Sequence, residues 1–158
     1  MTTDFVYTFN IEGQRIGEKP IQEINKITDI LEAVYVKVFI DDKILLSKII
    51  QKPGGLKKMH EGKWGTPIAT IVRLHETPEE AFKRASISDI GLIPEITCMY
   101  PRTPYEFENG SKRHIYEFET KLEKVPLDTG REFCLVNTED IQRMISAGEV
   151  AETYMKLM

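Results

Sequence analysis

Short runs of β-branched, aromatic and other apolar residues, separated by polar turns, recur along the chain and predict a strand-rich fold. Residues 5–11 are predicted to form a strand that returns through residues 15–17 as a hairpin. Residues 33–40 and 43–50 flank the acidic pair Asp41-Asp42 and predict a second hairpin. Further strands are predicted at residues 69–74, 95–100, 114–121 and 133–136.

The clearest helix is predicted over residues 77–90. Thr77 is a good N-cap, Pro78 fits the first helical position, and Glu80 completes a capping box with Thr77. Gly91 follows where a C-terminal glycine ends a helix. Glu79 and Glu80 are explained by capping and by the positive N-terminus of the helix alone.

Two weaker helical patterns lie outside this segment. Residues 20–29 start with a proline and carry isoleucines at every third position, which predicts a short helix. Residues 139–145 follow Asn137 and Thr138, either of which is a suitable N-cap, and a second short helix is predicted to close the chain.

The mixed order of strands and helices favours an α+β or α/β domain rather than a helical bundle. A length of 158 residues is one domain's worth of chain, so we expect a single domain over residues 1–158. Hydrophobic residues make up 41% and charged residues 29%, which is typical of a soluble globular protein.

The net charge, the cysteines and the lack of targeting patterns argue against several classes of protein. The net charge of −4 argues against general nucleic-acid binding, which needs a basic excess. Cys98 and Cys134 are too few for a four-thiolate zinc site and are expected to be buried thiols in a reducing compartment. We find no signal-peptide pattern and no apolar run of the roughly 20 residues that span a bilayer, so we expect a cytoplasmic protein without membrane contact.

The predicted helix and the loop before it carry a known pattern. Glu76, Arg84, Gly91 and Leu92 have the spacing of the first glutamate, the arginine, the last glycine and the final aliphatic residue in G-x5-E-x7-R-E-U-x-E-E-x-G-U, where U is aliphatic. The chain therefore resembles a Nudix domain. The segments at 11–18 and 62–64 are similar to the Nudix branch that contains isopentenyl-diphosphate isomerase. The resemblance implies an α/β/α sandwich in which helices flank a mixed β-sheet.

The resemblance also implies a metal site that this chain has largely lost. Nudix hydrolases hold Mg²⁺ or Mn²⁺ with glutamates on one face of the helix, and the metals activate water for attack on a diphosphate. Those positions are Ala85, Ser88 and Asp89 here, so two of three carboxylates are missing. The box is degenerate, and Asp89 alone is expected to bind a divalent ion weakly if at all.

Three residues of the degenerate box are the candidates for catalysis: Glu76, Arg84 and Asp89. Glu76 is either a general base or carboxylate that supports the metal site, or a solvated residue before the helix. Arg84 is expected to form a structural salt bridge with Glu76. Asp89 is either the remaining metal ligand or part of a solvated helix face.

Substrate contacts are predicted outside the box. Lys63, Lys52 and other cations of the loop at 52–65, among them Lys57, Lys58 and His60, either hold a phosphate or form a solvated loop. Trp64 either contacts substrate or anchors this loop. Tyr105 lies in the segment after the box that shapes Nudix specificity, together with Tyr100 and Phe107, although loose loop packing explains these rings as well.

The two histidines outside the basic loop, His75 and His114, are either a replacement acid or base or ordinary surface or hydrogen-bonded residues.

Two functions follow from these residues. The first is a catalytically impaired diphosphate hydrolase that binds a nucleotide-like or diphosphate ligand, with a homodimer as the assembly that the resemblance implies. The alternative is an active metal-dependent hydrolase of a nucleoside diphosphate linked to another group, which recruits carboxylates such as Glu76, Asp89, Glu117 or Glu119. A different chemistry on the same scaffold is the third option.

Overall fold

The structure is a computed structural model that describes residues 4–49, 62–127 and 129–151. Its strands are β1 (Phe5–Phe9), β2 (Arg15–Pro20), β3 (Leu31–Ile40), β4 (Lys43–Lys48), β5 (Trp64–Gly65), β6 (Ile68–Ile71), β7 (Ile96–Met99), β8 (Thr103–Glu106), β9 (Lys112–Lys121) and β10 (Phe133–Val136). Its α-helices are α1 (Pro78–Ile90) and α2 (Thr138–Ser146). Within these residues, no helix is long and apolar enough to cross a membrane.

Strand β3 organises the larger sheet, whose order is β10-β4-β3-β9-β7. Strands β3 and β9 pair in parallel, whereas the other pairs are antiparallel, so the sheet is mixed. Strand β6 pairs with the first half of β3, β5 pairs with β4, and β8 pairs with β9. Strands β1 and β2 form the separate hairpin that the sequence predicted.

One face of the larger sheet packs against α1. Val34, Val36 and Val38 of β3 are fully buried and lie in one apolar cluster with Phe82 of α1. Phe118 of β9 meets Phe82 edge to face, with ring centroids 6.0 Å apart. Burial of a side chain such as Phe82 contributes about 1.5–3 kcal/mol, so this cluster fixes α1 on the sheet.

The opposite face packs against α2. Ile141 of α2 is fully buried in a second apolar cluster with Ile44, Leu46 and Val136. Because side chains alternate along a strand, Ile44 and Leu46 face away from Leu45, which belongs to the cluster under α1. Helices therefore cover both faces of a mixed sheet, and the predicted α/β/α sandwich is confirmed.

The ends of α1 are those that the sequence predicted. The Thr77 hydroxyl accepts a hydrogen bond from the Glu80 backbone, and the Glu80 carboxylate accepts one from the Thr77 backbone. Pro78 is the first helical residue, and Gly91 ends the helix in the left-handed conformation with φ 77°. This capping box satisfies backbone donors that the helix itself cannot pair.

The helix predicted over residues 20–29 is wrong. Pro20 ends β2, and only Ile21–Glu23 form a short 3-10 turn. The Asn25 side chain accepts hydrogen bonds from the backbone of residues 27 and 28, and the Asp29 carboxylate accepts one from the Asn25 backbone. Such local bonds to Asn and Asp compete with the helical pattern and favour a turn.

Several strand boundaries also differ from the prediction. The strand expected at 69–74 ends at Ile71, because the following residues bond to β1 and the start of β3. Residues 103–106 form β8, which was not predicted, and Trp64–Gly65 form a short strand inside the expected loop. Asn137 is the N-cap of α2. The short helix predicted to close the chain lies outside the described residues.

Both cysteines are free thiols, but they are half-buried rather than buried. Burial and the neighbouring Glu132 carboxylate raise the pKa of the Cys134 thiol above its usual value.

Candidate functional site

The loop before α1 is tied to the helix by Arg84. Its Nε donates to Glu76 Oε2 at 2.7 Å and its Nη2 donates to Glu76 Oε1 at 2.9 Å. The guanidinium also donates to the Ile71 carbonyl at 3.0 Å and to the Thr70 hydroxyl at 3.2 Å. The predicted salt bridge is confirmed, and its two parallel bonds fix the angle between β6, the loop and α1.

Glu76 is not the solvated residue that was one reading of the sequence. Its side chain is only 14% exposed, and Oε1 also accepts from the Arg73 backbone at 2.9 Å. Burial raises the pKa of the Glu76 carboxyl, but the hydrogen bonds from Arg84 and Arg73 outweigh it and leave the pKa below its usual value. Glu76 therefore carries a negative charge at neutral pH, and its role as a general base stays a prediction.

His75, beside Glu76, stands in the left-handed region with φ 62°, a conformation that glycine adopts more easily. Its ring is exposed, and Nδ1 lies 3.5 Å from the Tyr7 hydroxyl. His114 is buried, and its Nε2 lies 3.0 Å from the Asn10 carbonyl. The surface and hydrogen-bonded alternatives thus describe these two histidines.

The three positions that the Nudix resemblance assigns to metal ligands have three different environments. Ala85 is 3% exposed and packs in the apolar cluster under α1, whereas Ser88 is exposed. Asp89 is buried and its Oδ1 accepts from Arg131 Nη1 at 2.7 Å. The reading of Asp89 as part of a solvated helix face is therefore wrong.

These positions do not fit a divalent cation. Ala85 has no donor atom, Ser88 offers only a hydroxyl, and the carboxylate of Asp89 is engaged by a guanidinium. Among the described residues, no three His, Cys, Asp or Glu side chains are grouped closely enough to hold a metal. Mg²⁺ prefers several oxygen ligands, including carboxylates, in nearly octahedral geometry, and α1 does not supply them.

Most of the basic loop before β5 lies outside the described residues. The predicted phosphate contacts Lys52, Lys57, Lys58 and His60 are in this part of the loop. Lys63 is exposed next to Trp64. Trp64 pairs with Lys48 in β5 and β4, and Lys48 Nζ lies 5.6 Å from its ring centroid. The Trp64 ring also packs against the cluster under α2, so Trp64 anchors this end of the loop.

Tyr105 lines an open cavity of about 280 Å³ at the edge of the sheet. Its ring lies 4.8 Å from Phe107, measured between centroids, and the Arg113 guanidinium lies 5.3 Å from the Phe107 ring. Lys112, Arg113 and the buried His114 also line the cavity. Phe107 is only 4% exposed and Tyr105 lies in β8, so these two rings are not in a loosely packed loop, whereas Tyr100 is exposed.

A row of polar pairs lies on the sheet face away from α1. Arg113 Nη1 donates to the Tyr35 hydroxyl at 3.1 Å, and Lys37 Nζ lies 2.7 Å from Glu117 Oε1. The Tyr100 hydroxyl donates to Glu119, which raises the pKa of Tyr100. Apart from Tyr100, these residues lie on β3 and β9, whose parallel register pairs Tyr35 with Glu117 and Lys37 with Glu119.

Comparison with solved structures places this architecture among known folds. No family model and no curated protein sequence matches the chain. DR0079 of Deinococcus radiodurans is similar with TM-score 0.71 and 15% identity, covering 93% of this chain and 91% of that one. A NUDIX hydrolase of Nitrosomonas europaea has TM-score 0.58 and 19% identity over 80% of this chain and 84% of its own. This chain has the Nudix fold.

An Ap4A hydrolase of C. elegans shares the fold as well, with TM-score 0.54 and 16% identity over 74% of this chain and 87% of that one. In this fold Arg84 lies in the middle of α1, and Glu76 lies in the loop directly before the helix.

The sequence did not indicate the partner of Asp89 in this Nudix fold. Arg131 lies before β10, 42 positions along the chain, and no spacing rule connects it to α1. Tyr35, Lys37 and Arg113 were missed too. The alternation of β3 held a signal for two of them, because Tyr35 and Lys37 interrupt the valines that face α1.

Proposed function

We propose that this chain is a Nudix protein with a degenerate box and impaired metal-dependent hydrolysis, and that it binds a nucleotide-like or diphosphate ligand. The observation that carries the proposal is the environment of the three metal-ligand positions. Ala85 is in the core, Ser88 has no carboxylate, and Asp89 is paired with Arg131. Without carboxylate ligands at these positions, α1 cannot hold the metal ions that would polarise a diphosphate and activate water for its hydrolysis.

The cavity beside Tyr105 supports the ligand class. Arg113 supplies positive charge at its wall, where Lys112 is paired with Glu106 at 3.7 Å, and a guanidinium binds phosphate oxygens with two parallel hydrogen bonds. Tyr105 supplies an aromatic face on which a base can stack. The fold's relatives include the Ap4A hydrolase, whose name fits a nucleotide ligand.

The similarity of the flanking segments to the isopentenyl-diphosphate isomerase branch adds prenyl diphosphates to the ligand class. Nucleoside and prenyl diphosphates share the charged diphosphate and differ in the group attached to it. Both therefore belong in the first panel of ligands.

The alternative is an active hydrolase that recruits Glu117 or Glu119. Both alternate along β9 with Phe118, which packs under α1, so they face the other side of the sheet from α1. Glu117 is paired with Lys37, and Glu119 accepts from Tyr100. This separation argues against one metal site shared by Asp89 and these glutamates.

The test combines turnover and binding. Phosphate release from the panel is measured in Mg²⁺, in Mn²⁺ and in EDTA, and ligand binding is measured by calorimetry. We expect no turnover, and binding that Arg113→Met weakens roughly tenfold because a charge-assisted hydrogen bond is lost. Lys43→Met, at an exposed lysine at the start of β4, should bind as the wild type does.

Two results would overturn the proposal. Turnover that stops in EDTA and in Asp89→Asn would establish a working hydrolase. A folded protein that binds no member of the panel would remove the ligand-binding part.

A further inference from the structure

The ion pair between Asp89 and Arg131 is the most enclosed one in the described part of the chain. Asp89 Oδ1 and Arg131 Nη1 are 2.7 Å apart, and each side chain is only 8% exposed. The pair joins the last turn of α1 to the segment that leads into β10. It therefore connects α1 to the start of β10, which pairs with β4 on the side away from β3.

A short turn at residues 129–131 positions Arg131. Gly130 adopts φ 74°, a left-handed conformation that suits glycine. The Arg131 backbone N–H donates to the Thr129 hydroxyl at 3.2 Å. This turn positions the guanidinium against the end of α1.

A divalent ion at Asp89 would compete with this guanidinium. An ion bound at the other carboxylate oxygen would lie beside Arg131, whereas an ion bound at Oδ1 would displace Arg131 and leave its guanidinium buried without this counter-charge. Breaking a buried ion pair in this way is strongly unfavourable. The remaining guanidinium would also repel the divalent ion at short distance.

We propose that Arg131 is a built-in cation that takes the place of the divalent metal at Asp89, and that it blocks metal binding at α1. The inference rests on the degenerate box of the proposed function. The place of an ionic cofactor beside α1 is thus taken by a side chain from the segment before β10. It follows that binding of a phosphorylated ligand does not depend on Mg²⁺ or Mn²⁺.

The experiment first restores one metal-binding carboxylate on α1 and then removes the guanidinium of Arg131. Ser88→Glu places a second carboxylate on an exposed position of α1, so it should not disturb the core. Ala85 is unsuitable for this purpose because its side chain is buried in the core. Arg131→Gln removes the charge but keeps an amide that can donate to Asp89.

Mn²⁺ binding is then titrated by electron paramagnetic resonance without any organic ligand. We expect Ser88→Glu to bind Mn²⁺ no better than the wild type. The double variant Ser88→Glu with Arg131→Gln should bind at least about tenfold more tightly, because a unit charge near the metal has been removed. Ser88→Glu with Lys83→Met, which removes an exposed cation of the same helix, should show no such gain.

Tight Mn²⁺ binding by Ser88→Glu alone would overturn the inference, and so would equal binding by Ser88→Glu and the Arg131→Gln double variant. If the double variant does not fold, as judged by circular dichroism, tight Mn²⁺ binding by Ser88→Glu alone still overturns the inference. The readout is metal binding, so a failure to find a ligand contradicts the proposed function and leaves this result standing.

Discussion

Replacing Arg84 with methionine should destabilise the protein more than replacing any exposed charged residue of α1. Methionine keeps most of the stem but removes two bonds to Glu76 and one each to Ile71 and Thr70. Glu76 is then left with the backbone N–H of Arg73 as its remaining partner among these contacts. The change therefore leaves a largely buried carboxylate without its counter-charge.

The magnitude follows from the exposure of the two side chains. A fully buried pair that loses one partner costs about 3–5 kcal/mol. Arg84 is 28% exposed and Glu76 is 14% exposed, so solvent screens part of this charge. We therefore expect a loss of about 2–3 kcal/mol in the free energy of unfolding, which for a chain of this length lowers Tm by roughly 5–10 °C.

Urea unfolding of four proteins measures the effect: the wild type, Arg84→Met, Glu76→Gln and the double variant. The coupling free energy from this cycle should be about 1–2 kcal/mol, since the two residues share two hydrogen bonds. Lys83→Met is the matched control, because Lys83 is an exposed cation next to Arg84 on α1. The reasoning is refuted if Arg84→Met loses no more stability than this control.

Three further outcomes are expected from the same loop. The pKa of Glu76 in the folded protein lies below its ordinary value of 4.5, so the contribution of Glu76 to stability is present above pH 4.5 and is lost as the pH falls further. The stability of Glu76→Gln should therefore fall less steeply with decreasing pH than that of the wild type. Equal slopes in acid unfolding would contradict this. Thr77→Ala should lower the free energy of unfolding by about 1 kcal/mol while Thr77→Ser changes it little, because serine keeps the capping hydroxyl. His75→Gly should raise stability by roughly 0.5 kcal/mol by relieving the left-handed conformation, and His75→Ala, which keeps the Cβ atom, should not; thermal melts distinguish these variants.

Local signals in the sequence were sufficient for α1 and for the β3–β4 hairpin. The capping box at Thr77 and the glycine at position 91 act within one turn of the helix, so spacing alone identifies them. The segment at 20–29 shows the limit of such reasoning. Isoleucines at helical spacing were present, but the Asn25 and Asp29 side chains accept hydrogen bonds from backbone N–H groups and select a turn.

Edge strand β8 escaped prediction because Pro104 interrupts its short pattern, which an edge strand tolerates since one side of it is unpaired. The site followed the same division. The bond between Glu76 and Arg84 spans 8 positions and could be predicted from the box, whereas the pair of Asp89 and Arg131 depends on the packing of β10 beside β4.

The parallel pairing of β3 with β9 has a consequence for the order of folding. The hairpin of β3 and β4 needs only the turn at Asp41-Asp42 and can close early. The bond from Tyr116 to Glu32, in contrast, joins residues 84 positions apart, and chain entropy opposes that closure until other contacts repay it. On the ribosome, the centre of this sheet cannot be completed before β9 has emerged, so α1 is exposed for longer than its own fast local folding would require.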